Sequence, residues 1–158
     1  MTSVSSSAEP MMSETHTTFR GQYCFSAQPI TPPESFRSLA LPDGSTFAAH
    51  TSVITAHLTD GSDYIILAGF CFDTDRPDDT PADIAARLFN SKDTAIVAET
   101  ASLVGRWVII RKRGNASIAF ADAAGTSPIV HTGAGDTLLL ASSSKLIEAI
   151  RPGHAPSP

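Results

Sequence analysis

The stretch Tyr64-Ile-Ile-Leu-Ala-Gly-Phe-Cys-Phe carries apolar residues in both of the registers that a β-strand would present. Successive side chains of a strand point to opposite faces, so a segment apolar on both must be covered on both. The run follows Asp60-Gly61, whose glycine suits the tight turn of a hairpin. A chain built around such a strand cannot fold as one sheet backed by water. It requires a packed layer on each side.

The flanking segments supply those layers. Phe19 to Ser26 reads as a first strand with Phe19, Gly21, Tyr23 and Phe25 on one face, after which Pro29, Pro32 and Pro33 force a loop. Thr46 to Leu58, rich in Val, Ile, Thr and Ala, reads as one or two strands. Thr80-Pro81-Ala82-Asp83 offers a helix cap, a proline at the first helical position and an acid at the third, with Ile84, Leu88 and Phe89 then sharing one face. Lys92 to Ser102 reads as a second helix of poorer formers, Asp93, Thr94 and Thr100. Arg106 to Arg113 and Ser117 to Ala121 form a hairpin around Gly114-Asn115, a pair suited to a type II′ turn. Ile129 to Thr132 and Thr137 to Ala141 form another, and Ser142 to Ile150 a short closing helix. The helices fall between runs of hairpins instead of alternating one for one with strands, which indicates an α+β sandwich and not a doubly wound parallel sheet.

The 158 residues, 42% hydrophobic and 17% charged, fit one domain with a real core, spanning residues 18–150. Residues 1–17, rich in Ser and Thr without period, read as a disordered leader, and residues 151–158, with three prolines, as a flexible tail. A net charge of -5 argues against a nucleic-acid surface, and the basic cluster Arg111-Lys112-Arg113 beside Gly114-Asn115 reads as a solvated turn. No segment reaches the roughly 20 apolar residues that a membrane helix needs, so a cytoplasmic protein without a membrane partner is expected. Cys24 and Cys71 stand in apolar stretches, outside any Cys-x-x-Cys pattern, and read as buried thiols. The histidines His16, His50, His57, His131 and His154 lack metal-ligand spacing, and neither metal nor cofactor is expected. Ser142-x-x-Lys145 has no accompanying Ser-Asp-Asn or Lys-Thr-Gly element. Gly133-Ala-Gly-Asp136 lacks the Gly-Lys-Ser/Thr ending of a phosphate loop and reads as a turn.

Three segments follow one another near the carboxy-terminal end: Leu103-Val-Gly-Arg-Trp-Val, Asp122-x-x-Gly125-x-x-Pro128, and Ala141-Ser142-Ser143 through Leu146. In this order they resemble the amino-terminal glutaminase domain of asparagine synthetases and related class II glutamine amidotransferases, over residues 19–150. The resemblance implies a four-layer αββα sandwich of two antiparallel sheets, like that of the Ntn hydrolases. Enzymes of that class use an amino-terminal cysteine whose own α-amine is the base. If Gly21 matches the family's opening Cys-Gly, the nucleophile position is held by Arg20. Cleavage after Tyr23 would instead expose Cys24, which Phe25 follows where the family has glycine. The family's Asn-Gly-Glu segment, which supplies oxyanion donors and glutamine contacts, matches Ala68-Gly69-Phe70. Asp79 and Thr80 match a segment that holds the glutamine amine, and are equally explained as helix-capping residues. The substrate-binding candidates are thus Gly69, Asp79 and Thr80. The resemblance implies a non-catalytic domain acting as partner or fragment of an ATP-dependent amide-forming synthetase, whose Ser-Gly-Gly-x-Asp-Ser loop does not occur in this sequence. Two alternatives stand beside it: a glutaminase matured by cleavage before Cys24, and a small-ligand binding module on the same scaffold.

Overall fold

The computed structural model describes residues 19–153. The leader expected over 1–17 and the tail beyond 153 lie outside the described residues. Nine strands form two antiparallel sheets among those residues. The first sheet contains β1 (Tyr23–Ser26), β2 (Phe36–Ala40), β3 (Thr46–His50), β8 (Val130–Thr132) and β9 (Leu139–Ala141), in the order β2-β3-β1-β9-β8. The second contains β4 (Thr55–Asp60), β5 (Asp63–Asp73), β6 (Leu103–Arg113) and β7 (Ala116–Ala121), in chain order. Helix α1 (Pro81–Asn90) crosses between β5 and β6, and α2 (Ser144–Ile150) follows β9.

Strand β5 behaves as its sequence demands. Tyr64, Ile66 and Ala68 pack with Phe25, Phe47 and Leu140 of the first sheet. Ile65, Leu67 and Cys71 turn the other way, against Ile84, Ala85 and Leu88 of α1. Its partner β6 divides likewise, with Val108 and Ile110 between the sheets and Trp107 and Ile109 toward α1. The far face of the first sheet, Cys24, Ala48, Leu139 and Ala141, is covered by Leu146 and Ile147 of α2. The apolar clusters therefore run helix, sheet, sheet, helix. Each fully buried Ile or Leu contributes about 1.5–3 kcal/mol.

Local chemistry sets the boundaries. Gly61 and Gly114 open their two-residue turns at φ +57° and +55°, and no other residue type among those described has positive φ, which is the type II′ pattern. Thr80 and Asp83 form a reciprocal capping box at the start of α1, with the Asp83 amide donating to the Thr80 hydroxyl and the Thr80 amide to the Asp83 carboxylate. The Ser91 carbonyl that follows α1 accepts bonds from Arg111 (2.6 Å) and Arg113 (2.7 Å). Arg111 is buried on the α1 side of β6 and paired with Asp93 at 3.0 Å, so this residue is not part of a solvated turn. Lys112 points the other way and pairs at 3.0 Å with Asp43 in the β2–β3 turn, where the Tyr64 hydroxyl also donates. This group clamps the two sheets together. Burial alone would raise the Asp43 carboxyl, but bonds from Ser45 and Lys112 outweigh it and hold it below the usual carboxylate range.

Three segments also differ from the structure. Phe19 to Gly21 forms a turn before β1 instead of its first residues, and Phe19 packs on the α2 side, opposite to Tyr23 and Phe25. The segment after the prolines is not all loop, because Phe36–Ala40 pairs with β3 as an edge strand. Only Phe36 is buried in it, so the strand carries no apolar alternation to read. Lys92 to Ser102 forms turns and a single 3₁₀ turn, Ala98–Thr100, instead of an α-helix. Ile96 is inserted into the core there, and Arg87 holds the Glu99 carbonyl.

Gly69 and Gly105 are the tightest points of the second sheet. Their φ angles are +114° and +123°, and a Cβ at each would lie 2.1 Å from the Arg106 carbonyl oxygen and 2.3 Å from that of Phe70. Gly105→Ala is therefore expected to destabilise the fold by about 3 kcal/mol, combining backbone strain with overpacking. Chemical denaturation at equilibrium measures this, and a loss below about 1 kcal/mol would contradict the close approach.

Candidate functional site

The inner face of β5 is covered by the first sheet as far as Ala68 and open beyond it, where Phe70 is 64% exposed. A cleft of about 450 Å³ lies at this boundary. Its walls are the residues leading into β1 (Arg20 to Tyr23), the β3–β4 connection (Ser52 to Ile54), Ala68 to Phe70 of β5, and Arg106 of β6. Ser127 and Pro128 of the turn after β7, with Ser142 after β9, close it.

Hydrogen bonds hold these segments in place. The Tyr23 amide donates to the Ser142 hydroxyl oxygen (3.1 Å), and the Ser142 amide donates to the Tyr23 carbonyl (3.0 Å). Ser143 donates to the Gln22 side-chain carbonyl at 2.6 Å and also accepts from the Leu146 amide as the cap of α2. The Tyr23 hydroxyl donates to the Pro128 carbonyl at 2.8 Å, and burial pushes its ionisation well above the usual tyrosine range. The Asp122 carboxylate accepts from the Thr126 amide and hydroxyl and from the Ser127 amide, each at 2.9 Å, which explains why the Asp-x-x-Gly-x-x-Pro turn begins with an acid. Across the cleft the Gly21 amide donates to Ser52, whose amide and hydroxyl both lie within hydrogen-bond reach of His50 Nδ1.

Gly69 and Gly105 bracket the directly opposed pair Phe70 and Arg106. The Arg106 guanidinium donates to the Thr126 carbonyl at 3.0 Å, and Arg20 makes no ion pair or side-chain hydrogen bond among the described residues. Among the described residues no carboxylate lines the cleft. Among the described residues, two guanidinium groups and an exposed aromatic ring thus line the cleft with no carboxylate beside them in its lining, Asp122 lying behind Ser127 and held by the turn.

The expected site residues separate into those the fold gathers and those it does not. Gly69 lines the cleft, with Arg20, Gly21, Ala68 and Phe70. Its amide already donates to the Ile54 carbonyl at 2.8 Å, so it is not available as an oxyanion donor. Thr80 caps α1, and the Asp79 carboxylate lies 3.9 Å from Arg87 on that helix. Both sit at the helix on the outer face of the second sheet, away from the cleft. Cys24 points toward α2, opposite to Tyr23, and is fully buried. Burial pushes its thiol up to about 12, which suppresses the nucleophilic thiolate. His50, Ser52 and Arg106 were not legible as site residues; His-x-Ser spacing at the end of β3 was the one available signal for the first two.

Searches of family models, curated proteins and solved structures give no match for this chain. Among the described residues no helix is long and apolar enough to cross a membrane, and no group of three or more His, Cys, Asp or Glu could hold a metal ion.

The Asp122 turn gives a pH test. Burial would raise its carboxyl, but the Thr126 and Ser127 bonds outweigh this and hold it below the usual 3.8. Its contribution to stability is fully present above about pH 4 and lost as pH falls through the lower folded value. Asp122→Asn is expected to cost about 1–3 kcal/mol at neutral pH. The variant should also lose stability less steeply than the wild type on acidification, as followed by denaturation at a series of pH values. Parallel curves would show that the carboxylate does not hold the turn.

Proposed function

We propose that this chain is a non-catalytic, Ntn-hydrolase-like relative of the class II amidotransferase glutaminase domain. It works by contact, as the separate partner or a fragment of an ATP-dependent amide-forming synthetase in the cytoplasm. The observation that carries the reading is convergence. Arg20 with Gly21, and Ala68 with Gly69 and Phe70, are the positions the resemblance assigns to nucleophile and oxyanion segments, and all of them line one cleft. Two sheets packed face to face with a helix on each outer side are compatible with that family's architecture. A guanidinium cannot attack a carboxamide, alanine offers no side-chain donor, and the Gly69 amide is already bonded. Both cysteines are free and buried, which suits a reducing compartment.

The alternative of maturation before Cys24 meets a geometric objection. A one-residue step along a strand reverses the face, so a new amino terminus at Cys24 would leave its thiol among Leu146 and Ile147 instead of in the cleft. Purified chain is expected to release no ammonia from glutamine above the buffer rate, and its intact mass in the native host should show no loss of residues 1–23. Affinity capture from that host should recover an adenylating synthetase. Glutamine hydrolysis, or capture without any such synthetase, would overturn the proposal.

A further inference from the structure

We infer that the cleft is a binding site for an amphipathic carboxylate: a molecule with one carboxylate head and an apolar, preferably aromatic, body. This deepens the proposed function and rests on its reading of the cleft as non-catalytic. In a chain of net charge -5, the described residues lining the cleft include Arg20 and Arg106 and no acid. An arginine fork matches the two oxygens of a carboxylate, and Arg106 uses a single bond, to the Thr126 carbonyl, of the several it can donate. Arg20 has no partner among the described residues.

The apolar half of the site distinguishes this ligand from a simple anion. Phe70, opposite Arg106 in the ladder, is 64% exposed, and Ile54, whose carbonyl accepts from the Gly69 amide beside it, also lines the cleft and is 52% exposed. Exposed apolar groups of this size lining a concavity gain by covering one another with a ligand. Phosphate or acetate would use the guanidiniums and leave these groups wet. The two bracketing glycines fix the arrangement, because any side chain at either position would collide with the carbonyl of Phe70 or Arg106. Ser142, whose hydroxyl oxygen accepts from the Tyr23 amide, adds a polar group to the lining.

The test titrates the full chain with 3-phenylpropionate, its neutral amide, acetate, inorganic phosphate and glutamine, read by calorimetry and ligand-observed NMR. 3-Phenylpropionate should bind saturably, and each other probe should bind at least about tenfold more weakly. Arg106→Gln and Arg20→Gln should each weaken 3-phenylpropionate about tenfold, and Phe70→Ser should weaken it without changing its preference over the amide. All three positions are exposed, so the melting temperature should hold and serves as the folding control. Acetyl-Gly-Gly-Phe and its carboxamide form the second arm. Tighter binding of the peptide acid assigns a chain terminus as the source of the carboxylate, and tighter binding of 3-phenylpropionate assigns a free acid. No saturation by about 10 mM, equal binding of acid and amide, phosphate binding as tightly as 3-phenylpropionate, or unchanged affinity in both arginine variants would overturn the inference. Glutamine turnover would defeat the non-catalytic reading without touching these binding results.

Discussion

The packing of β5 on both faces is the interaction on which the rest of the molecule depends. Tyr64, Ile66 and Ala68 join the two sheets, and Ile65, Leu67 and Cys71 seat α1. Removing either covering layer would return one set to water, so neither can exist without the other. The polar contacts refine this arrangement at the margins. Asp43 with Lys112 and Tyr64 ties the sheets at one place. Arg111, Arg113 and the Ser91 carbonyl tie down the chain leaving α1. The cleft opens where the mutual covering stops, past Ala68.

Where packing is two-sided or a turn demands a special backbone, the sequence was readable. β5, the helix beginning at Thr80 and the hairpin turns at Gly61 and Gly114 are visible because apolar period, capping chemistry and glycine each impose one outcome. Edge strand β2 was hidden because only Phe36 is buried in it and its residues carry no apolar period. Lys92 to Ser102 was read as a helix despite poor formers, yet its Glu99 carbonyl and Ile96 are claimed by tertiary contacts. Arg111 misled for a similar reason, since a charge run says nothing about the carbonyl waiting across the layer.

The site was legible only in part. Gly69 could be placed because a motif carried it, and the same motif reasoning offered Asp79 and Thr80, which lie elsewhere at the start of α1, Thr80 as its cap and Asp79 near Arg87. Arg106, Ser52 and His50 acquire meaning through register and loop geometry alone. Arg106 stands opposite Phe70, and Ser52 reaches the Gly21 amide across the cleft. The alternation of Tyr23 and Cys24 illustrates the same point at a single residue. Composition cannot say which of two adjacent side chains enters a cleft, whereas pairing with β9 decides it.

The place of β1 within its sheet bears on how the chain comes to be folded. β1 lies between β3 and β9, the last strand in the chain. The second sheet can assemble from neighbours in chain order, but the first cannot be completed until β9 is available. During synthesis β1 would wait with one side unpaired, inviting association with other strands. Pairing of β9 with β1 is a contact of long sequence separation, and the cleft, which needs both Tyr23 and Ser142, depends on it.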